Sequence, residues 1–400
     1  KKILTSSLVI LLAMSASLLA QTGTEPSFGD GSSGNPYQIS TLEHLLWITE
    51  YDDEWDKHYI QTANIDAFST SSLNDSSGFS PIGNNSTQFT GSYDGDGYTI
   101  NGLTIARSTS RIGLFGYIDG AIIQDLGVTN VNITGWHYVG ALVGIVDNIN
   151  GEIDGSTISN CYSTGSVLGN GKYVGGLAGL VRDTSTVSNC YSTGTVEGHN
   201  IYVGGLAGQV QENSTVSNCY STGSVSGTSN YVGGLAGEVI DNSTVSNCYS
   251  TGSVTGTDNY VGGLVGLVRT TSTISNSYST GTVTGNNYVG GLAGWLYNST
   301  VSVINCYSTG SVTGNGSDVG GLVGRLREDP TVSNSFWDTQ TSGQGSSADG
   351  TGKTTAEMKT ASTFYDANWD FEEDGNGNDD GTNGGASGNG TDNYWDMDQD

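Results

Sequence analysis

The sequence predicts an all-β protein, a parallel β-solenoid (β-helix) with one coil per repeat of about 29 residues. Three observations lead to this fold class: a strict repeat, a composition rich in Gly, Ser, Thr and Val, and an alternation of inward and outward side chains. The chain has 400 residues, of which 62 are Gly and 4 are Pro. Its hydrophobic content of 34% is low for one compact core of this size. A solenoid needs less, because each coil only has to cover its neighbours.

The repeat is marked by one position that always carries a small side chain. Successive members of this series are 29 residues apart (190 − 161 = 29): Cys161, Cys190, Cys219, Cys248, Ser277, Cys306 and Ser335. A second phrase follows each time, as Tyr-Val-Gly-Gly-Leu-Ala-Gly at 202–208 and, in its last full copy, as Asp-Val-Gly-Gly-Leu-Val-Gly at 318–324. A period of this size indicates a solenoid or a propeller, and a four-stranded propeller blade needs about 40 residues or more. Helical repeats do not fit the Gly, Thr, Ser and Val content, so a β-solenoid remains.

Side-chain parity within the second phrase predicts which residues face the interior. Leu206 and Val210 are four residues apart and therefore face the same side of a strand. The residue just before Val210 varies freely between repeats, which predicts an outward position. Its occupants are Gln209, Glu238, Leu267, Trp295 and Arg325. The doubled Gly204-Gly205 predicts a close approach of two backbones or a bend.

The first phrase, Asn-Cys-Tyr-Ser-Thr-Gly at 189–194, predicts a second strand that follows a corner. Val196, Ser192 and Cys190 share inward parity, and Asn189 suits the corner because Asn tolerates left-handed geometry. Parity places Tyr191 outside, where equivalent rings would stack as an outer aromatic ladder. An inward Tyr191 is the alternative.

The five cysteines are expected to be free, buried thiols. Stacked coils place equivalent Cα atoms about 4.8 Å apart, which permits a disulfide. However, in-register Cβ vectors run parallel instead of pointing at each other, which disfavours the bridge. The replacement of Cys by Ser277 and Ser335 also fits a small packed side chain.

The two ends of the chain differ from the repeats. Residues 1–20 are predicted to be a signal peptide, with Lys1 and Lys2 before an apolar stretch and a cut before Gln21. A membrane anchor is the alternative. Residues 21–83 are predicted to be a capping region with a short helix at about 41–50, and residues 84–340 the solenoid. Residues 341–400 form a mixed, acidic, Gly/Asn/Asp-rich segment that we expect to be truncated.

The phrases at 189–194 and 204–208 resemble the GLUG repeat of bacterial secreted proteins. Further segments are similar to the lead-in, the early repeats and the exit of such proteins: 34–39, 42–48, 89–100, 113–118, 123–128 and 336–338. The resemblance covers roughly residues 30 to 370. It implies a large secreted or surface protein, as in adhesins and IgA-protease-like proteins, in which these repeats are non-catalytic.

Residue patterns that would indicate catalysis or metal binding are weak. The formal net charge of −28 disfavours nucleic-acid and membrane-surface partners. His44, His58, His137 and His199 have no metal-ligand spacing, and no metal or cofactor is expected. Glu197, Glu238 and Asp241 are expected to be loop or outward residues with no partner that recurs from repeat to repeat, and Arg182, Arg269 and Arg325 occupy scattered repeat positions.

Outward hydroxyl groups give the most specific prediction of a binding surface. By parity, two Thr or Ser side chains per coil face outward, about 6.6 Å apart along the strand and about 4.8 Å between coils. The candidate binding residues are Thr164, Ser166, Thr193, Thr195, Thr222, Ser224, Thr251, Ser253, Thr280, Thr282, Thr309 and Ser311. Such side chains also serve simply as good exposed-strand residues that hold register.

The sequence therefore predicts a secreted or cell-surface, non-catalytic structural or adhesive module that presents a rigid surface to glycans or cell-surface molecules. Two alternatives remain open. One is an ice- or glycan-binding hydroxyl lattice, which should show a flat face. The other is a polysaccharide-active β-helix enzyme, a lyase or a glycoside hydrolase, which should show a cleft lined by irregular charged residues.

Overall fold

A computed structural model of the chain describes residues 22–149, 151, 155–367 and 369. The strands of successive coils pair in parallel and in register, so that Thr186 lies beside Thr215 and Tyr191 beside Tyr220. The predicted fold class, an all-β parallel β-solenoid, is confirmed. The predicted signal peptide at 1–20 and residues 370–400 of the acidic segment lie outside the described residues.

One coil in the middle of the solenoid shows how the repeat folds. The chain passes through four short stacks, which we call sheets A, B, C and D in the order in which the chain meets them. In this coil they are Thr186–Ser188 for sheet A, Tyr191–Ser192 with Thr195–Gly198 for sheet B, Val203–Gly204 for sheet C, and Ala207–Val210 for sheet D. Each 29-residue step repeats this path one layer further along the axis.

Sheets A and D run along the solenoid on two of its sides. The strands of sheet A are Tyr37–Ile39, His58–Gln61, Ser92–Asp94, Ile122–Gln124, Thr157–Ser159, Thr186–Ser188, Thr215–Ser217, Thr244–Ser246, Thr273–Ser275, Ser302–Ile304 and Thr331–Ser333. The strands of sheet D are Phe115–Asp119, Val143–Asp147, Ala178–Val181, Ala207–Val210, Ala236–Val239, Val265–Arg269, Ala293–Tyr297 and Val323–Arg327. Sheet A thus begins inside the stretch predicted as the capping region.

Sheets B and C complete each coil. The strands of sheet B are Ile65–Asp66, Thr99–Asn101, Thr104–Ala106, Gly127–Gly135, Tyr162–Gly169, Tyr191–Ser192, Thr195–Gly198, Tyr220–Ser221, Val225–Gly227, Tyr249–Ser250, Val254–Gly256, Tyr278–Ser279, Val283–Gly285, Tyr307–Ser308, Val312–Gly314, Phe336–Asp338 and Thr351–Lys353. The strands of sheet C are Val174–Gly175, Val203–Gly204, Val232–Gly233, Val261–Gly262, Val289–Gly290 and Val319–Gly320.

A nine-residue helix forms near the start, at Leu42–Glu50, where the sequence predicts one at about 41–50. The side chain of Thr41 caps it by accepting a hydrogen bond from the backbone N–H of His44. Leu45 and Ile48 on its apolar side are fully buried in the solenoid core. Two short 3₁₀ turns, Asp52–Glu54 and Phe68–Ser72, follow it.

Two further short helices lie near the C-terminal end, at Thr355–Met358 and Ala361–Tyr365. Phe364 from the second helix packs edge-on against Phe336 of sheet B, with ring centroids 5.5 Å apart. These two helices near the C-terminal end come in addition to the one short helix that the sequence predicts. Helices of four and five residues are too short to show a hydrophobic period, which is why the sequence pattern did not reveal them.

The corner predicted at Asn189 is present, and the same corner recurs through the stack. Asn189 has a φ of 53°, and the equivalent Asn218 and Asn247 each have a φ of 54°. Asn is tolerated in this left-handed region because its short amide side chain bonds locally. The turn switches the parity of the chain, so that both Val187 before it and Cys190 after it are buried.

The doubled glycines mark the places where neighbouring backbones come closest. A methyl group at Gly205 would lie 2.1 Å from the carbonyl oxygen of Gly234 in the next coil and 2.2 Å from Oγ of Ser221. Gly234 stands in the same relation to Gly263, also at 2.1 Å. Only a residue without Cβ fits here, which confirms the predicted close approach.

The cysteines are free and buried, as predicted. The thiol of Cys190 donates a hydrogen bond to the carbonyl oxygen of Ser188 at 3.1 Å, while its own backbone N–H donates to Sγ of Cys219 at 3.3 Å. Further along the series Ser277 takes the place of Cys, and its hydroxyl accepts the N–H of Cys248 at 3.1 Å. Sulfur and oxygen thus serve the same role in one internal ladder.

The first testable consequence concerns the close approach at Gly205. Replacing Gly205 with Ala should destabilise the solenoid by about 2 to 3 kcal/mol, because the new methyl group meets backbone that cannot move without breaking register. Urea unfolding followed by circular dichroism measures the change. The matched control is Gly345→Ala, where no atom lies within 4 Å of an added methyl group. Equal stability of the two variants would contradict the packing argument.

A second consequence concerns the thiols. Burial raises the pKa of the Cys306 thiol to about 12, so it stays protonated and unreactive near neutral pH. We expect the native protein to resist iodoacetamide and the urea-unfolded protein to take up five carbamidomethyl groups, one per cysteine. Mass spectrometry counts the adducts. Rapid labelling of the folded protein would show that the ladder is open to solvent.

Candidate functional site

The predicted hydroxyl residues lie together on the outer side of sheet B. Ten of the twelve are exposed, and Thr164 and Thr309 are half-buried. Main-chain bonds hold the first column in register: the N–H of Thr222 donates to the carbonyl of Ser192, and the N–H of Thr251 to that of Ser221, each at 3.0 Å. We call this set the hydroxyl face: Thr164, Ser166, Thr193, Thr195, Thr222, Ser224, Thr251, Ser253, Thr280, Thr282, Thr309 and Ser311.

The second column of the hydroxyl face is fixed by the strands that follow it. The N–H of Val225 donates to the carbonyl of Ser253 at 2.8 Å, so Ser224 and Ser253 sit in equivalent places on successive coils. Val225 itself points inward and is 1% exposed. The alternation of a buried Val with exposed hydroxyls gives a surface that repeats regularly from coil to coil.

A first ladder of tyrosine rings borders the hydroxyl face. Tyr191 and Tyr220 stack with centroids 4.7 Å apart and planes 2° from parallel, and the half-buried rings point outward. The outward placement favoured by parity is correct, and the inward alternative is wrong. The ladder consists of Tyr162, Tyr191, Tyr220, Tyr249, Tyr278 and Tyr307. Because each ring face meets the next ring, the edges and hydroxyls are what a ligand can reach.

A second tyrosine ladder, which the sequence analysis did not predict, covers the outer side of sheet D. Its rings stack with centroids 4.8 to 5.2 Å apart. Its members all have positive φ: Tyr138, Tyr173, Tyr202, Tyr231, Tyr260 and Tyr288. The signal was present, since a Tyr precedes Val-Gly in every one of these copies. It was missed because left-handed backbone is unusual for a bulky residue.

The second tyrosine ladder explains why the variable position before Val210, which is predicted to face outward, is often buried. These side chains point away from the main core, as parity predicts, but several are not exposed: Leu180 is 3%, Gln209 4% and Glu238 0% accessible. Leu180 belongs to a separate small cluster with Tyr138 and Tyr173 packed against it. The residue at this position varies between repeats because it lies in a layer beneath the tyrosine rings, and the side chains in that layer differ from coil to coil.

Two ion pairs with buried carboxylates lie in this layer, and one of them contains Glu238, which the sequence predicts to be a loop or outward residue. Nε of Arg269 lies 2.7 Å from Oε1 of Glu238, and the Gln209 amide donates to the same carboxylate. Nη2 of Arg182 lies 2.6 Å from Oδ2 of Asp147. Both carboxylate side chains are 0% exposed, so a polymeric substrate cannot contact them.

Asp183 stands beside the Arg182 pair and has an unusual titration. Burial, together with the neighbouring carboxylates of Asp147 and Glu212, raises the pKa of Asp183 to about 7. Its Oδ2 lies 3.6 Å from Nε of Arg182, and its side chain remains 37% exposed. Asp183 occupies a left-handed corner with a φ of 54°, a conformation that Asn also accepts.

Among the residues that the structure describes, no group of three or more His, Cys, Asp or Glu side chains is arranged so that it could hold a metal ion. Within the same residues, no helix has the length and apolar character needed to cross a membrane. One cavity in the described part of the chain, of about 380 Å³, lies at the start of the Leu42–Glu50 helix beside Glu43 and Asp66. Another, of about 330 Å³, lies between Asn84 and Arg111.

A scan against protein families identifies the repeats that build these surfaces. The GLUG motif matches residues 170–197, 199–226, 228–255, 257–284 and 285–313. The chain contains five GLUG repeats. All five matches begin shortly before the Tyr-Val-Gly-Gly phrase and run through the Ser-Thr-Gly phrase, so each GLUG repeat spans parts of two successive coils.

This chain is similar to parts of two longer proteins. Halomucin from Haloquadratum walsbyi is 40% identical over 158 residues, which are 38% of this chain and 2% of halomucin. A protein of Evansella cellulosilytica, described as a candidate Gly-rich membrane protein, is 37% identical over 135 residues, 31% of this chain and 15% of that protein. This chain therefore corresponds to only a small part of either relative.

A solved structure shares the fold. The crystal structure of a candidate immunoglobulin A1 protease from Bacteroides ovatus superimposes with a TM-score of 0.51. The alignment covers 83% of this chain and 88% of that chain at 19% sequence identity. At this identity the likeness supports the solenoid architecture and nothing about activity.

The raised pKa of Asp183 predicts a pH effect. A carboxyl that titrates near 7 when folded and near 4 when unfolded stabilises the fold at low pH, and this stability is lost as the pH rises through about 7. Asp183→Asn should remove that loss, so its stability relative to the parent should increase between about pH 4 and pH 8. Urea unfolding across this range measures it.

The control for this experiment is Asp96→Asn, an exposed turn residue that also has a positive φ of 47°. Its stability relative to the parent protein should not follow the same pH course. A difference between Asp183→Asn and the parent that is constant with pH would show that Asp183 titrates like an ordinary surface carboxyl.

Proposed function

We propose that this chain is a non-catalytic surface module, exported from the cell, that holds the hydroxyl face rigidly toward glycans of a cell surface or matrix. The observation that carries the proposal is the regular, exposed double column of Thr and Ser on sheet B. Each hydroxyl offers one donor and two acceptor lone pairs, which suits a polyhydroxylated ligand. The net charge of −28 favours an uncharged ligand over nucleic acid or anionic lipid at this surface.

The rigidity of the face supports a presenting role. Each coil is bonded to the next along the strands of its sheets, and the interior is filled with buried Val, Leu, Ile and Cys side chains. The first tyrosine ladder adds stacked rings next to the hydroxyl columns. A binding surface that is already ordered loses little conformational entropy when a ligand arrives.

The names of the relatives are consistent with an extracellular location. One relative is called halomucin and another a Gly-rich membrane protein. We infer a surface location for this chain from these names and from the predicted signal peptide at 1–20. A structural role fits the buried state of the charged pairs Asp147–Arg182 and Glu238–Arg269.

The hydroxyl face also supports a second candidate function, ice binding. Regular rows of hydroxyl groups on a flat sheet can form hydrogen bonds with ordered water as well as with a glycan. The two functions differ in a simple measurement, because an ice-binding protein shows thermal hysteresis in a freezing assay. Thermal hysteresis in the absence of glycan binding would show that the hydroxyl face binds ice and not a glycan.

The proposal is tested by screening the full chain on a broad glycan array and checking every bound glycan for cleavage by mass spectrometry. Thr222→Tyr combined with Thr251→Tyr should weaken binding by about tenfold or more, because two bulky side chains interrupt the flat columns. Tyr is a good strand residue, so the fold should persist.

The control variant is Thr228→Tyr combined with Thr257→Tyr, on the same two coils but in the exposed turns that follow sheet B. It should bind as the parent does. Equal loss in both variants would remove the hydroxyl face as the binding surface. Cleavage products would instead establish a polysaccharide-active enzyme.

A further inference from the structure

Two arginines in the early coils differ from the other arginines because they have no carboxylate partner among the described residues. The chain has six arginines among 40 acidic residues, and four of them pair with a carboxylate. The paired ones are Arg182 with Asp147 at 2.6 Å, Arg269 with Glu238 at 2.7 Å, Arg325 with Asp318 at 3.1 Å and Arg327 with Glu328 at 3.9 Å. Arg107 and Arg111 form no ion pair with any residue that the structure describes.

Arg107 and Arg111 line the same cavity. The cavity has a volume of about 330 Å³ and opens between the loop at 81–85 and the corner at 107–112, on the outside of the early coils. The rest of its lining is uncharged and includes the amides of Asn84 and Asn85 and the hydroxyl of Thr109. Among the described residues that line it, none is acidic, although Asp and Glu outnumber Lys and Arg by 40 to 12 in the chain.

Both arginines are held in place by neutral groups. The Arg107 guanidinium donates to the carbonyl oxygens of Phe79 and Gly78, each at 3.2 Å, and to Oγ of Ser80 at 3.0 Å. Burial without a counter-ion lowers the pKa of Arg107. The positive charge of Arg107 is thus partly removed from water. The negative charge of a bound anion would offset the free-energy cost of this desolvation.

Arg111 is held mainly by aromatic rings. Its guanidinium carbon lies 5.7 Å from the ring centroids of both Tyr117 and Tyr138. Its Nε is buried and has no hydrogen-bond partner in the described part of the chain. A planar guanidinium with free donors recognises an oxyanion through two parallel hydrogen bonds.

We propose that this cavity binds the carboxylate or sulfate group of an acidic saccharide. Two unpaired arginines supply the positive charge, and the volume exceeds that of a bare oxyanion, which leaves room for a sugar ring. The amide and hydroxyl lining matches the hydroxyls of such a ring. The site is separate from the hydroxyl face, and it would give an otherwise acidic protein one place to hold an anionic polymer.

Isothermal titration calorimetry of the full chain tests the site with three probes: oligogalacturonate, a sulfated galacto-oligosaccharide and a neutral galacto-oligosaccharide. One of the two acidic probes should bind, and its identity distinguishes carboxylate from sulfate. The neutral probe should bind at least about tenfold more weakly, and raising the salt concentration should weaken acidic binding.

Arg111→Gln should reduce binding of the acidic probe by about tenfold or more. The matched control is Arg325→Gln, which also removes an arginine stacked on a tyrosine ring, at 4.9 Å from Tyr288, but one that is paired and outside the cavity. It should bind like the parent. Thermal unfolding of each variant, followed by circular dichroism, confirms that the solenoid is intact.

A second variant keeps the test decisive if Arg111→Gln unfolds. Asn85→Asp adds a carboxylate at the exposed rim of the cavity with almost no change in shape, and it should abolish acidic binding. The Thr222→Tyr/Thr251→Tyr variant should bind the acidic probe normally, which separates this site from the hydroxyl face. Absence of acidic binding, equal binding of the neutral probe, or equal loss in Arg325→Gln would each overturn the proposal.

Discussion

The structure depends on the close, in-register contact between the backbones of successive coils. At Gly205 the carbonyl oxygen of Gly234 occupies the space where a side chain would begin, so the coil-to-coil spacing is set by main-chain hydrogen bonds and not by side-chain bulk. Once that spacing is fixed, every repeat position becomes a straight column. The thiols, the two tyrosine ladders and the hydroxyl face are all consequences of one translation repeated along the axis.

Columns have opposite consequences inside and outside the solenoid. Inside, equivalent Val, Leu and Cys side chains stack into a core. The N–H of Cys190 donates to a sulfur atom in the adjacent coil, and that of Cys248 to a hydroxyl oxygen. Outside, the same stacking aligns small polar side chains into extended, regular surfaces. Thr222 alone is an ordinary exposed strand residue, but with Thr193 and Thr251 above and below it becomes part of a regular surface.

The outer side of sheet D departs from this uniformity. There the tyrosine ladder shelters a layer whose contents change from coil to coil, from Leu180 to Gln209 to Glu238. The buried charges in that layer are neutralised within the protein by Arg182 and Arg269. At the early end of the ladder, Arg111 lies over Tyr117 and Tyr138 without such a partner. Among the described residues, these buried carboxylates and the unpaired Arg111 therefore lie on the outer side of sheet D or in the early coils.

The sequence by itself determined the fold class, the 29-residue coil, the corner at Asn189, the buried free thiols and the outward parity of the hydroxyl residues. These follow from a period and from strand alternation, which are local properties repeated many times. Only the tertiary structure decided that Glu238 is buried and paired, that a second tyrosine ladder covers sheet D, that helices lie near the C-terminal end, and that Arg107 and Arg111 share a cavity. The tyrosine ladder does follow the repeat along the chain, but the position of its rings over sheet D depends on a left-handed backbone that is unusual for a bulky residue. The other three features depend on contacts between residues whose spacing follows no single period, so no pattern along the chain reveals them.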